Sequence, residues 1–366
     1  MKILVLTTAY DTHCATPLAA ELATELAAEH EVQVLATDWN LAPGTPSKTI
    51  NGNGYRAVVK SPVGFGKMGK LVLSSLKLAW LARRLGPFDK VIAFSPAITL
   101  WAPLLIAQGA KTVYITDFFP YHNCQLGMIP KAAEAPLAAV ESFLFRRCDT
   151  LAVMSPRGVD YLRDHYQLSG QAVKVVPLWS GGFKQQTSTR SETRRRHRLP
   201  LGATIALFGG QIERGRGIES IVEASKLLPD VHFLFVGSGS LQHLVTGSPN
   251  LQHIAAVPRE DYLAIASACD VGIVATVAGV DVPTFPSKTI DYAYSDLAIA
   301  AAVEESSDYP AFIEEQGLGN AVVAGDSAAL AQVIADTVKQ GHTDIRAIAS
   351  RVFSARRAAR QFLGLA

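Results

Sequence analysis

Short, nearly continuous apolar runs alternate with longer amphipathic stretches along most of the chain. Residues 2–7 (KILVLT) are followed by a helical pattern over 17–30 and by a second apolar run from residue 31. Further runs begin near residues 90, 111, 150 and 173, and six more lie between residues 204 and 325. Strands that are buried on both faces of a parallel sheet have this composition. The pattern therefore predicts an α/β fold with right-handed crossovers.

A polar, basic tract at residues 181–202 interrupts this alternation. A chain of 366 residues also fits two domains better than one. We predict two Rossmann-like domains facing across a cleft, where the ligand is expected to bind. The predicted bounds are residues 1–182 for the N-terminal domain, 183–200 for a linker, 201–345 for the C-terminal domain, and 346–366 for a helix packing back on the first domain.

The linker carries two local signals. Thr189 and Glu192 have the spacing of a capping box, so a short helix is expected to begin there. The basic run at residues 194–198 could bind an anion, or it could form the solvated face of that helix.

Charge and cysteine content narrow the class of protein. The net charge of +2 is too small to indicate a nucleic-acid-binding protein. The cysteines lack the spacing of a disulfide framework, so a reduced, cytoplasmic protein is expected. The first apolar run is too short for a signal peptide, and no uncharged apolar run is long enough to span a membrane. The four cysteines are Cys14, Cys124, Cys148 and Cys269.

A glycine-rich segment, GGQIERGRGIES, follows the first apolar run of the second half at residues 209–220. Glycines allow a ligand to approach the backbone, and the N-terminus of a following helix attracts anions. Arg214 and Arg216 add positive charge, so the segment suits a diphosphate; the alternative is a tight turn with surface arginines. Gly237 and Gly239 end the next run and could admit a base or phosphate, or only turn the chain.

The segment FPSKTIDYA, residues 285–293, has the composition of a helix start after an extended approach. Ser287 or Thr289 is expected to cap the helix. Lys288 would lie in its first turn, where a cation is unfavourable unless an anion binds there. Asp291 would share the face of Lys288 and could accept from sugar or ribose hydroxyls.

The same five letters, PSKTI, occur at residues 46–50. There they precede Asn-Gly-Asn-Gly, which favours a turn, so no helix is expected to begin. We interpret residues 46–50 as a surface loop and only the second copy as a binding site.

Residues 66–86 form a basic, amphipathic pattern with Trp80 among many leucines. Such a helix either packs on its own sheet with a basic outer face, or makes a peripheral contact with anionic membrane.

These segments together resemble retaining glycosyltransferases of family 4, which have the GT-B fold. The resemblance is carried by GGQIERGRGIESIVEA (209–224), FVGSG (235–239) and PSKTIDYAYSDLAIAA (286–301) in the second half. In the first half, VIAFSPAITL, TDFFP and VMSPRGVDYL resemble the branch that makes bacterial polysaccharides, including N-acetylfucosamine-type transferases.

The resemblance implies transfer of a hexosyl or N-acetylhexosaminyl unit from a nucleotide-diphosphate sugar, with UDP favoured. The implied acceptor is a glycan, a lipid-linked sugar or a small natural product. No cofactor and no metal are expected. A zinc site would require His13, Cys14, His122 and Cys124 to meet, and they lack the usual ligand spacing.

The resemblance also implies roles for individual residues. The implied catalytic residues are Lys288, Arg216, Asp117 and His122. Asp11 and His13 would contact the acceptor. The donor would be bound by Gly209, Gly210, Gln211, Arg214, Arg216, Gly237, Val257, Pro286, Ser287, Lys288, Thr289 and Asp291.

The sequence departs from the family at several of these positions. The family usually has two glutamates. Pro283 stands at the position of the first, and Asp291 stands at the position of the second. Gln211 replaces a common arginine, and Asp117 a common histidine. Two other functions therefore stay open: a nucleotide-sugar epimerase of the same fold, and a catalytically inactive binding subunit.

Overall fold

The computed structural model describes residues 1–8, 10, 17–37, 49–50, 54–56, 67–182, 188–340 and 344–365. Within these residues the chain divides into two compact units. Unit 1 comprises the described residues up to Gly181 together with those from Ala355 onward. Unit 2 comprises the described residues of Gly182–Ser354.

The described part of unit 1 contains an eight-stranded sheet. Its strands are β1 (Lys2–Thr7), β2 (Glu31–Ala36), β3 (Thr49–Ile50), β4 (Gly54–Arg56), β5 (Lys90–Phe94), β6 (Ala110–Ile115), β7 (Thr150–Val153) and β8 (Ala172–Val175). They lie in the order β3-β4-β2-β1-β5-β6-β7-β8, and all neighbouring strands are parallel except the antiparallel pair β3–β4. The helices are α1 (Leu18–Ala27), α2 (Lys67–Leu85), α3 (Trp101–Ile106), α4 (Tyr121–Gln125), α5 (Glu134–Phe145) and α6 (Pro156–His165).

The described part of unit 2 contains a six-stranded parallel sheet. Its strands are β9 (Thr204–Gly209), β10 (Val231–Val236), β11 (Leu251–Ile254), β12 (Val271–Ala275), β13 (Ala298–Val303) and β14 (Gly319–Val323). They lie in the order β11-β10-β9-β12-β13-β14. The helices are α7 (Arg190–Arg196), α8 (Ile218–Leu227), α9 (Arg259–Ser267), α10 (Lys288–Tyr294), α11 (Tyr309–Glu315), α12 (Ser327–Gln340) and α13 (Ile345–Val352). A buried apolar core lies between this sheet and helices α8 and α12.

The predicted α/β fold is confirmed, and each apolar run that predicted a strand forms one. The interpretation of residues 46–50 as a loop is wrong for Thr49 and Ile50, which pair with β4. These two β-branched residues precede turn-forming residues, so they can start a hairpin. Residues 46–48 lie outside the described part of the chain.

The capping box that starts α7 is confirmed: the Thr189 N–H donates to Glu192 at 2.8 Å. Neither interpretation of the basic run holds for Arg194, which is buried. Its guanidinium donates to Asp270 at 2.9 Å and to the carbonyl oxygens of Pro200, Leu201, Ala203 and Ala268. Arg194 therefore ties the start of unit 2 to the end of α9.

The segment that was predicted as a single helix over 346–366 is divided between the units. Helix α13 belongs to unit 2, whereas α14 (Ala355–Leu363) packs against α1 in unit 1. Lys90 and Lys174 donate to the carbonyl oxygens of Phe362 and Gln361, near the negative end of the α14 dipole. Helix α13 ends at Phe353, whose backbone leaves the helical region (φ −102°, ψ 76°). The Phe353 side chain is buried in unit 2.

Candidate functional site

Lys288 is the first residue of α10; its side chain is partly buried in unit 2, and its Nζ atom is shielded from solvent. Its Nζ lies 3.6 Å from the centroid of the Phe208 ring. Within the described residues, Nζ has no hydrogen-bond partner. An ammonium group that is withdrawn from water in this way is costly unless an anion compensates it. The geometry therefore prepares Lys288 for an anionic ligand.

The glycine-rich loop after β9 lies next to Lys288. A Cβ on Gly209 would overlap the Tyr262 side chain, and Gly217 begins α8 with a positive φ of 61°. Gly210 differs, because a Cβ there would meet only the Lys288 Nζ, at 4.0 Å. The Lys288 ammonium therefore faces the backbone of Gly210.

Gly237 and Gly239 have a structural explanation. A Cβ on Gly237 would overlap the Gly210 carbonyl oxygen, and one on Gly239 would overlap that of Ile212. The Gly237 N–H already donates to Ile254 O at 3.0 Å. Only glycine lets the loops after β9 and β10 pack this closely. A contact of Gly237 with a donor stays a prediction.

Glu213 and the exposed arginines complete the first loop. Glu213 accepts from the Ser240 N–H at 2.8 Å and from the Ser240 hydroxyl, which fixes the loop against the loop after β10. Gln211, Arg214 and Arg216 are exposed on this loop. Burial, and secondarily the charge of Arg216, lower the pKa of Lys288 well below its ordinary value. The loop thus places a second cation near the buried one.

Asp291 is paired with a residue that the sequence did not single out. Its carboxylate accepts from both Nη atoms of Arg259, at 2.8 and 3.2 Å, and only 5% of its side chain is exposed. Arg259 is the first residue of α9 and lies two positions after Val257, another predicted donor contact. The signal that identified Lys288, a cation in the first turn of a helix, applies equally to Arg259. Whether Asp291 contacts ribose stays a prediction.

The expected capping of α10 by Ser287 or Thr289 is wrong. Ser287 occupies the N-cap position without a side-chain capping bond. Thr289 is buried, donates to Pro286 O at 2.7 Å, and shares a hydrogen bond of 2.6 Å with the Tyr309 hydroxyl. The threonine therefore anchors the start of α10 to α11.

A buried carboxylate, Glu304, holds the segment that leads into α10. It follows β13 directly and accepts from the Thr276 hydroxyl at 2.6 Å. It also accepts from the Thr284 N–H at 2.6 Å and the Thr284 hydroxyl at 2.5 Å. Sequence reasoning missed this residue, although a carboxylate at the carboxyl end of a parallel strand was a signal.

We expect Glu304→Leu to destabilise unit 2, because it leaves an N–H and two hydroxyls without their acceptor. The cost should be roughly 1–3 kcal/mol. Since residues 276–286 precede Lys288, affinity for the nucleotide that the sequence predicts as ligand should fall as well. Glu304→Gln keeps one acceptor oxygen and should lose less. Thermal unfolding and nucleotide titration measure both effects. The exposed neighbour supplies the control, Glu305→Gln; equal behaviour of the Leu and control variants would refute this role.

In unit 1, Asp117 and His122 form a pair beyond the end of β6. His122 Nδ1 lies 2.9 Å from Asp117 Oδ1. If Nδ1 carries the proton and donates it, Nε2 is left as an acceptor. The structure thus joins two residues that the sequence predicted separately.

The remaining predicted contacts of unit 1 are not placed. Asp11, His13 and Cys14 lie outside the described part of the chain. Cys124 is buried, with its Sγ 3.9 Å from Pro130 O. Among the described residues, no three His, Cys, Asp or Glu side chains cluster in a way that could hold a metal ion.

Comparison with known families gives one match. Residues 15–179 match the model of the family described as "Glycosyl transferase 4-like domain". No curated protein matches the sequence.

Several solved structures share the fold over the full chain. Sucrose-phosphate synthase from Thermosynechococcus elongatus has a TM-score of 0.77 at 15% identity, covering 100% of this chain and 98% of its own. HepE from Anabaena, in complex with UDP-glucose, has a TM-score of 0.73 at 16% identity, covering 100% and 98%. WaaG, a glycosyltransferase of lipopolysaccharide biosynthesis, has a TM-score of 0.66 at 15% identity, covering 98% and 95%. The fold is therefore the GT-B fold of two Rossmann-like domains.

Proposed function

We propose that this protein is a retaining glycosyltransferase that moves a hexosyl or N-acetylhexosaminyl unit from a nucleotide-diphosphate sugar to a sugar-containing or small-molecule acceptor. One observation carries the proposal: the buried ammonium of Lys288, which has no hydrogen-bond partner among the described residues and faces the backbone of Gly210. A diphosphate supplies the negative charge that compensates this ammonium. The UDP-glucose in the Anabaena protein favours a UDP-sugar here.

The proposed chemistry breaks the bond between the anomeric carbon and the diphosphate oxygen and forms a bond from that carbon to an acceptor oxygen. The proton of the acceptor hydroxyl passes to the departing diphosphate oxygen, and the nucleoside diphosphate leaves. Lys288 and Arg216 stabilise the charge that develops on the leaving group. This is electrostatic catalysis and requires no metal. No side chain is assigned as a nucleophile.

Asp117 and His122 are proposed to serve the acceptor. The aspartate orients the imidazole through Nδ1, which leaves Nε2 to accept a hydrogen bond from the acceptor hydroxyl. This proposal concerns unit 1 alone, whereas the donor contacts belong to unit 2.

Calorimetric titration of UDP, GDP, dTDP and CMP tests the donor site. We expect one nucleoside diphosphate to bind, and Lys288→Ala to weaken it by about one to two decades, since a charge-assisted phosphate contact is worth roughly 1.5–3 kcal/mol. The matched control is Lys48→Ala, in the other PSKTI segment, which should leave affinity unchanged. If no nucleotide binds, or if the Lys48 variant is the weakened one, the assignment is wrong.

Two other functions are distinguished by turnover. Pro283 stands where the first glutamate of the resembling family is usual. A nucleotide-sugar epimerase would convert donor without acceptor. A binding subunit would bind nucleotide and transfer nothing to any of a panel of acceptors. Transfer that requires both donor and acceptor supports the glycosyltransferase.

A further inference from the structure

The outward face of α2 in unit 1 is apolar as well as basic. Val72, Leu73, Leu76 and Trp80 are exposed, with 46% of Leu76 and 54% of Trp80 accessible to solvent. Soluble proteins expose single apolar residues often, but not four on one helix face. This face therefore needs an explanation other than packing on its own sheet.

The opposite side of α2 accounts for its packing. Leu78, Ala79 and Ala82 are buried against unit 1. The buried hydroxyl of Ser75 accepts from the Ala102 N–H of α3 at 3.0 Å. The helix is thus already seated on the domain, and its exposed apolar side chains are additional to that contact.

The neighbouring helix continues the same character. Leu105 and Ile106, at the end of α3, are exposed, with 43% of Ile106 accessible. We call the exposed side chains of α2 and α3 the α2–α3 face. It comprises Val72, Leu73, Leu76, Lys77, Trp80, Arg83, Arg84, Leu105 and Ile106.

Charge on this face has one sign. Residues 67–88 contain five lysines and arginines and no Asp or Glu, and residues 97–110 contain no charged residue. The guanidinium of Arg84 lies 4.6 Å from the centroid of the Trp80 ring. Tryptophan beside cations suits the boundary between lipid headgroups and acyl chains.

We propose that the α2–α3 face docks on the surface of an anionic lipid bilayer. The leucines and Trp80 enter the interface while Lys77, Arg83 and Arg84 contact anionic headgroups. A second copy of the chain fits less well, because a twofold interface would set this basic face against itself. No helix in the described residues is long and apolar enough to cross a membrane. The proposed contact lies at the bilayer surface.

Co-sedimentation of the full chain with vesicles tests this docking directly. We expect binding to vesicles of phosphatidylcholine and phosphatidylglycerol in equal amounts, weak binding to phosphatidylcholine alone, and release at high salt. Tryptophan fluorescence should shift to shorter wavelength on binding, and because the chain has four tryptophans, Trp80→Glu should lack this shift if it comes from Trp80. The measurement needs neither donor nor acceptor, so its failure would leave the proposed glycosyl transfer untouched.

Two pairs of variants separate this face from the rest of the surface. Trp80→Glu should weaken vesicle binding by about tenfold or more, whereas Leu227→Glu, at an exposed leucine of α8, should not. The double variant R83E/R84E should also lose about tenfold or more, and R195E/R351E, at exposed arginines of unit 2, should lose much less. Circular dichroism and nucleotide titration verify that each variant is folded.

Three outcomes would overturn the proposal. One is absence of binding to anionic vesicles by the wild-type protein. Another is equal binding by the Trp80 and Leu227 variants. The third is a wild-type dimer, seen by light scattering, that Trp80→Glu dissociates while vesicle binding persists; the face would then join two copies of the chain.

Discussion

Replacing Lys288 by methionine should stabilise the empty protein and abolish most of the proposed transfer activity. Methionine keeps the length and apolar stem of the side chain but removes an ammonium that is fully buried without a hydrogen-bond partner in the described structure. Removing such a charge should raise the free energy of unfolding by roughly 1–3 kcal/mol. The same change removes the cation proposed to stabilise the leaving diphosphate, which should lower kcat by about 10²–10³-fold.

The opposite signs of these effects make the experiment decisive. Thermal unfolding of the empty protein gives the first, and initial rates of transfer give the second. Lys226→Met is the control, since Lys226 is exposed and pairs with Glu223 on the surface of α8. It should change stability by less than about 0.5 kcal/mol and leave the rate unchanged. A Lys288→Met protein that is less stable than wild type would show that the ammonium is compensated within the fold.

The pH dependence gives an independent check on Lys288. Burial, with Arg216 as a smaller cause, holds its pKa well below the ordinary value, while Asp291 acts in the opposite direction. Between that lowered pKa and the unfolded value of about 10.4, the unfolded chain binds a proton that the folded one does not. The free energy of unfolding of the wild type should therefore rise with pH through this window. The excess stability of Lys288→Met over the wild type should therefore decrease as pH approaches about 10.

Nucleotide binding should reverse this shift of the pKa. A diphosphate beside Nζ favours the protonated ammonium, so binding above the lowered pKa should take up a proton. Calorimetry in buffers of different ionisation enthalpy measures that uptake. Lys288→Met should show none from this group. Equal uptake by the wild type and the variant would contradict the assignment of the anion site to Lys288.

Breaking the pair between Arg259 and Asp291 should cost unit 2 more stability than any surface change. Arg259→Met removes the guanidinium that pairs with a carboxylate that is only 5% exposed, and removal of one member of a buried pair costs roughly 3–5 kcal/mol. The double variant R259M/D291N replaces the charged pair by neutral groups and should recover much of that loss. Thermal unfolding of the two single variants and the double variant measures the coupling.

A surface pair of the same two residue types provides the matched control. Arg196 and Asp261 lie 3.3 Å apart, with 65% and 33% of their side chains exposed. Arg196→Met should therefore cost about 1 kcal/mol or less. If Arg259→Met costs no more than Arg196→Met, Asp291 is not held by Arg259. Nucleotide titration of D291N then tests separately whether the carboxylate also contacts the donor.

The sequence determined the order and type of most elements. Runs such as TIALFG and VHFLFV are apolar throughout because both faces of a parallel strand are buried, and this composition is visible without coordinates. The capping box at Thr189 was equally readable, since it depends on residues three apart. Lys288 was identified because a cation in the first turn of a helix conflicts with the helix dipole, which is a local effect.

Contacts between segments distant in the chain were decided by the tertiary structure alone. Arg259 and Asp291 are 32 residues apart, and Glu304 reaches back 28 residues to Thr276. Arg194 could be read as a surface cation because its carbonyl partners near residues 200 and 268 meet only after folding. Preferences for a helix, a strand or a cap depend on residues that are close in the sequence. Burial and pairing of charges depend on which strand ends the sheet brings together. Neighbouring residues in the sequence do not show this.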